Sequence, residues 1–192
     1  GWLTRGAIAS TLTANTYYYP RIASGEFPYA LGLEDDAILH SNFKDYLENL
    51  DEILQEVDMD GILMLNFYKL HQPVQLSNLN VLADKHGIKI YQLPKGDKIG
   101  GGTAFIMSTN GAQKILDFQQ PMKNVGDWWA DYPGLNIYFI HPMPVHTGKF
   151  ESSLGYKDKL THRIVSAVLP KKLKEKIRIK RAKNLASSML KD

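Results

Sequence analysis

Three acids stand together at the end of an apolar run. In "FPYALGLEDDAILHSNF", residues 27–43, Glu34, Asp35 and Asp36 follow Leu33. Adjacent like charges repel, and burying them is costly unless a cation or strong hydrogen-bond donors are supplied. If the strand runs on through the triplet, alternation puts Glu34 and Asp36 on one face and Asp35 on the other. Two carboxylates on one face can hold a divalent cation, with water and a substrate phosphate completing its shell. The plain alternative is a solvated strand end leading into a turn.

Other chemically capable residues lie further along. "GDWWAD" (126–131) carries Asp127, Trp128, Trp129 and Asp131. By residue type alone it fits a helix N-cap with two core tryptophans. Gly100, Gly101, Gly102 and Thr103 form a glycine run that lets backbone approach a ligand closely. It lacks the Lys-Ser/Thr of a phosphate-binding P-loop, and a flexible turn is the alternative. His146, in "PVHTG", lies just past a strand end; it is a surface histidine or a metal ligand. His40 is near enough to the acids to hydrogen-bond one of them. Ser152 and Ser153 offer hydroxyl donors.

The elements that must position these residues follow from periodicity. "FPYALGL" (27–33) predicts a strand covered on both faces, and "GILMLNFY" (61–68) a second buried strand. "IKIYQL" (88–93), "TAFIMS" (103–108) and "NIYFIHP" (136–142) predict three more. Between 41 and 57, Phe43, Tyr46, Leu47, Leu50, Ile53, Leu54 and Val57 make one apolar stripe at helical spacing, capped by Ser41. A helix through Val81 and Leu82 is expected to stop at Gly87, and another starts at 109–118 with Thr109 or Asn110 as cap. "PKGDKIGGG" (94–102) predicts a mobile loop. Strands alternating with helices indicate an α/β sandwich with a mostly parallel sheet, whose ligands sit beyond the carboxyl ends of the strands.

The 192 residues, 44% hydrophobic and 22% charged, suffice for one domain with a real core. There is no cysteine, which excludes disulfides, thiolate metal sites and a cysteine nucleophile. No apolar run approaches membrane-spanning length. The net charge of +3 is uneven: residues 171–192 carry +7, which leaves −4 for the first 170. "KKLKEKIRIKRAKNLASSML" (171–190) predicts a basic amphipathic helix. It either meets an anionic membrane surface or packs as a solvated helix. Nucleic acid is disfavoured as a partner, because the body is acidic and no recognition motif accompanies the tail.

Four blocks resemble glycosyltransferase family 25, which includes lipopolysaccharide and procollagen galactosyltransferases. "PYALGLEDDAIL" is similar to the family's "PYALILEDDA", and "GGTAFIMSTNGAQKIL" (101–116) to "GTAAYLISRKGAEKLL". "NVGDWWADYPGLNIYFIHPMPVHTGKFESSLG" (124–155) resembles its closing segment, and "GAIASTLTANTYYY" (6–19) stands where the family has "GEIGCALSHYKLWQ". The resemblance spans roughly residues 5–156. It implies a GT-A-type nucleotide-sugar-binding sandwich that moves a hexose, usually galactose, from a UDP-sugar to a hydroxyl with inversion, often with Mn²⁺. The acceptor would be a glycan or lipid-linked saccharide.

On that resemblance Asp36, then Asp35, hold the metal, His146 completes its shell, and Glu34 binds ribose or a structural donor. Asp127 is the base, with Asp131 as runner-up. Trp128 and Trp129 stack on a sugar face, Gly101, Gly102 and Thr103 line the acceptor pocket, and Ser152 and Ser153 donate to sugar or phosphate. Two departures stand out: Ala7 replaces a glutamate, and Thr13-Ala14 replaces Ser-His. Family members also carry an earlier strand-bearing segment, so the chain is expected to lack N-terminal strands. The division expected is a transferase-like domain over 1–156 and a basic tail over 157–192, in a cytoplasmic protein with a peripheral contact at the inner membrane face. The rival readings are a non-catalytic sugar-binding relative and a nucleotidyltransferase; "GDWWAD" and "PVHTG" argue against the latter.

Overall fold

The computed structural model describes residues 5–67, 69–70, 74–97, 99–124, 129–148 and 190–191. In chain order the helices are α1 (Arg5–Thr13), α2 (Tyr19–Ala23), α3 (Phe43–Glu56) and α4 (Thr109–Phe118), with a π-helical turn at Ala14–Tyr18 joining the first two. The strands are β1 (Tyr29–Leu33), β2 (Ala37–Leu39), β3 (Gly61–Met64), β4 (Lys69–Leu70), β5 (Val74–Gln75), β6 (Asn80–Lys85), β7 (Ile88–Gln92), β8 (Ile99–Gly100), β9 (Ala104–Ser108), β10 (Asn136–His141), β11 (Val145–Thr147) and β12 (Leu190–Lys191).

Six strands form one sheet in the order β1-β9-β3-β10-β7-β6. Strict alternation sends successive residues of β3 into two different cores. Ile62 and Met64 join Tyr19, Met107, Ile115, Trp129 and Phe139 on the face covered by α2 and α4. Leu63 and Leu65 join Leu50, Ile53, Leu54, Ile90, Ile106 and Tyr138 on the face covered by α3. The stripe predicted on α3 is the one it buries, with Leu50 and Ile53 almost fully enclosed. The α/β class therefore holds, with helices on both faces of the sheet.

The expectation of a mostly parallel sheet is overturned. Within the six-stranded sheet β3 and β10 are the one parallel pair; β1–β9, β9–β3, β10–β7 and β7–β6 are antiparallel. One cause is local. The helix expected through Val81 and Leu82 is instead β6, which turns back into β7 through His86 and Gly87 at φ 56° and 72°. Two consecutive residues with positive φ close a tight hairpin whose twist matches its strands. β1 is also not covered on both faces. It is an edge strand whose Leu31 and Leu33 are 40% and 45% exposed.

Two further expectations change. The cap of α4 is Ser108, whose hydroxyl accepts from the Gly111 N–H, rather than Thr109 or Asn110. The segment expected as a mobile loop contains β8, which pairs with β4, and its Gly101 and Gly102 are buried. The expected basic helix lies outside the described residues except for its last residue, Leu190, which is extended beside Val74. Among the described residues no helix is long and apolar enough to cross a membrane.

Candidate functional site

β1 ends at Leu33, and the triplet that follows is a turn rather than more strand. The Ala37 N–H donates to the Glu34 carbonyl at 3.1 Å, which closes the chain over Asp35 and Asp36. The face-sharing expected of Glu34 and Asp36 in a continuing strand is lost with it. The Glu34 N–H is anchored on the Thr103 carbonyl at 2.8 Å. Glu34 and Asp35 are exposed, whereas Asp36 is only partly so. The Asp36 Oδ1 atom is buried, with no hydrogen-bond partner among the described residues. Burial, and then the neighbouring Asp35 charge, push the Asp36 carboxyl above the usual carboxylate range.

The chain after the turn, β2, forms a two-stranded ribbon with β11, in the register Leu39 opposite Val145, Ile38 opposite His146 and Ala37 opposite Thr147. Backbone bonds extend this ladder both ways: the Gly148 N–H donates to the Asp36 carbonyl at 2.6 Å, and the His40 N–H to the Pro144 carbonyl at 3.1 Å. His146 therefore stands diagonally between Asp36 and His40. Its Nε2 lies 2.8 Å from the Nε2 of His40, so the partner of His40 is His146 rather than one of the acids.

Asn66, just past the end of β3, ties this ribbon to the sheet. Its Nδ2 donates to the Val145 carbonyl at 2.9 Å, and its Oδ1 accepts from the Thr147 hydroxyl at 3.2 Å. The Thr147 and Thr103 hydroxyls meet at 3.0 Å. The turn before β11 is pinned from the other side, where the Tyr46 hydroxyl donates to the Pro142 carbonyl at 2.9 Å. Asn66, Thr147 and the His40 contact went unpredicted. A polar residue closing the apolar "GILMLNF" was the one signal available for Asn66.

No protein-family model matches the chain, and no curated protein matches it. The site therefore stands on its geometry. The turn at 34–36, Thr103 and the β2–β11 ribbon are brought together at the carboxyl end of β1. Gly101, Gly102 and Thr103 are buried, and the Thr103 carbonyl anchors the turn. Trp129 does not present a stacking face. It is 2% exposed, its indole N–H donates to the Gly101 carbonyl at 2.7 Å, and its ring packs on Phe105 at 5.2 Å between centroids. Asp131 is exposed beside it. Asp127, Trp128, Ser152 and Ser153 lie outside the described residues.

A divalent cation fits this end of the sheet in one respect: among the described residues the buried Asp36 Oδ1 has no hydrogen-bond partner. Among the described residues no three His, Asp or Glu side chains converge as a ready-made metal group. Any cation held by Asp35 and Asp36 would draw its remaining ligands from water and a bound phosphate, the usual arrangement for hard cations on nucleotide substrates.

Proposed function

We propose that this chain is a GT-A-like domain related to glycosyltransferase family 25, which moves a hexose, galactose first among candidates, from a UDP-sugar to a hydroxyl of a glycan or lipopolysaccharide with inversion. The observation that supports it most is the Asp36 carboxylate: partly buried, held by a turn at a strand's carboxyl end, and left with an unpartnered oxygen. Such a group is unfavourable unless a cation arrives, which is the arrangement a diphosphate leaving group requires.

In this reading Asp36 and Asp35 would hold Mn²⁺ or another divalent cation, with His146 on the adjacent strand. When bound, that cation neutralises charge on the departing diphosphate. Asp127 takes the proton from the acceptor hydroxyl, Glu34 bonds the ribose, and Ser152 and Ser153 donate to sugar or phosphate. Trp128 supplies the stacking face. The basic 171–190 segment gives a peripheral attachment to anionic membrane.

The test is a UDP-sugar panel titrated with and without Mn²⁺, on wild type and Asp36→Asn. The expected result is Mn²⁺-dependent UDP binding that the variant weakens by about tenfold or more. No nucleotide binding under any condition rejects the transferase in favour of a sugar-binding relative without catalysis.

A further inference from the structure

We infer that His40 and His146 form a chelating site for a borderline transition-metal dication, Ni²⁺ or Cu²⁺ class, distinct from the carboxylate turn. The ladder from Asp36–Gly148 to His40–Pro144 makes these histidines diagonal neighbours on the outward face of the β2–β11 ribbon, within reach of long side chains. Both rings are exposed, so a cation reaches them without stripping water from a closed cavity.

The ring geometry carries the argument. The two Nε2 atoms stand 2.8 Å apart, with centroids 4.7 Å apart and planes at 49°. A head-on N–H···N bond of that length would hold the centroids roughly 5 Å apart, so the rings meet at an angle. Two nitrogens each about 2.05 Å from one cation are separated by roughly 2.9 Å at right angles and roughly 3.3 Å at the tetrahedral angle. The observed spacing fits cis positions of an octahedral or square-planar ion better than tetrahedral zinc. Imidazole favours Ni²⁺, Cu²⁺ and Zn²⁺ over Mg²⁺ and Ca²⁺. Among the described residues no third His, Cys, Asp or Glu completes a three-ligand group with the pair.

The inference does not depend on sugar transfer, and its test contains no nucleotide. NiCl₂ is titrated calorimetrically into the full chain carrying no appended histidine tag. A saturable site is expected that His40→Ala and His146→Ala each weaken about tenfold or more and that excess Mg²⁺ does not displace. Gln variants at both positions, checked by circular dichroism and cooperative unfolding, guard against loss of fold. Absence of saturable binding, equal affinity in either histidine variant, or displacement by excess Mg²⁺ overturns the chelate and leaves a hydrogen-bonded imidazole pair.

Discussion

Gly111 and Gly61 are in backbone contact. A Cβ on Gly111 would stand 2.6 Å from the Gly61 carbonyl oxygen, so the first turn of α4 lies directly against the start of β3. Ser108 fastens the two, its hydroxyl accepting from the Gly61 N–H at 2.9 Å and the Gly111 N–H at 3.0 Å. Gly111→Ala would gain about 1 kcal/mol in helix propensity. The overlap with rigid backbone outweighs this, and the net expectation is a loss of about 1–2 kcal/mol. Urea denaturation measures it, and a stabilised variant would refute the contact.

Asn66→Ala leaves the Val145 carbonyl without its donor and the Thr147 hydroxyl without its acceptor. The expected loss is about 1–3 kcal/mol, with Thr147→Val costing less. The two are linked through one bond, so their double mutant should lose less than the sum of the single effects. Strict additivity in denaturant midpoints would show that Asn66 acts only on the backbone.

Asp36→Asn removes a partly buried charge that burial and Asp35 both oppose. Stability at neutral pH should rise by up to about 1 kcal/mol, small because the side chain is still partly solvated. Thermal unfolding of wild type and variant, each without added metal, checks this. A clear loss of stability would mean that Asp36 serves the fold rather than a ligand.

Tyr46 gives the chain an alkaline limit. Burial pushes its phenol well above the usual tyrosine range, and Tyr138 is raised as well, by burial and the charges of Asp60 and Asp58. A folded-state pKa above the unfolded value of about 10 means stability present below that pH and lost as pH rises through it. Tyr46→Phe should flatten that decline while losing about 1 kcal/mol at neutral pH with the Pro142 bond. Urea midpoints at neutral and alkaline pH decide; an unchanged alkaline slope would exclude Tyr46.

The sequence by itself determined the elements whose signals are local. The stripe from Phe43 to Leu54 makes α3 amphipathic whatever it packs on; the apolar runs at 88–92, 104–108 and 136–141 form strands within one residue of expectation, and the run from 61 forms a strand that ends at Met64, four residues short of the expected 68. The acids at 34–36 were legible as a break in an apolar run, because side-by-side charges cannot continue a buried strand. Tertiary structure decided everything that depends on pairing. Val81 and Leu82 suit a helix or a strand, and only the hairpin with β7 chose between them. Strand direction and the edge position of β1 depend on partners distant in the chain, which short windows do not encode. His40 and His146, 106 positions apart, meet through the ladder of β2 and β11, a relationship with no local trace in either segment.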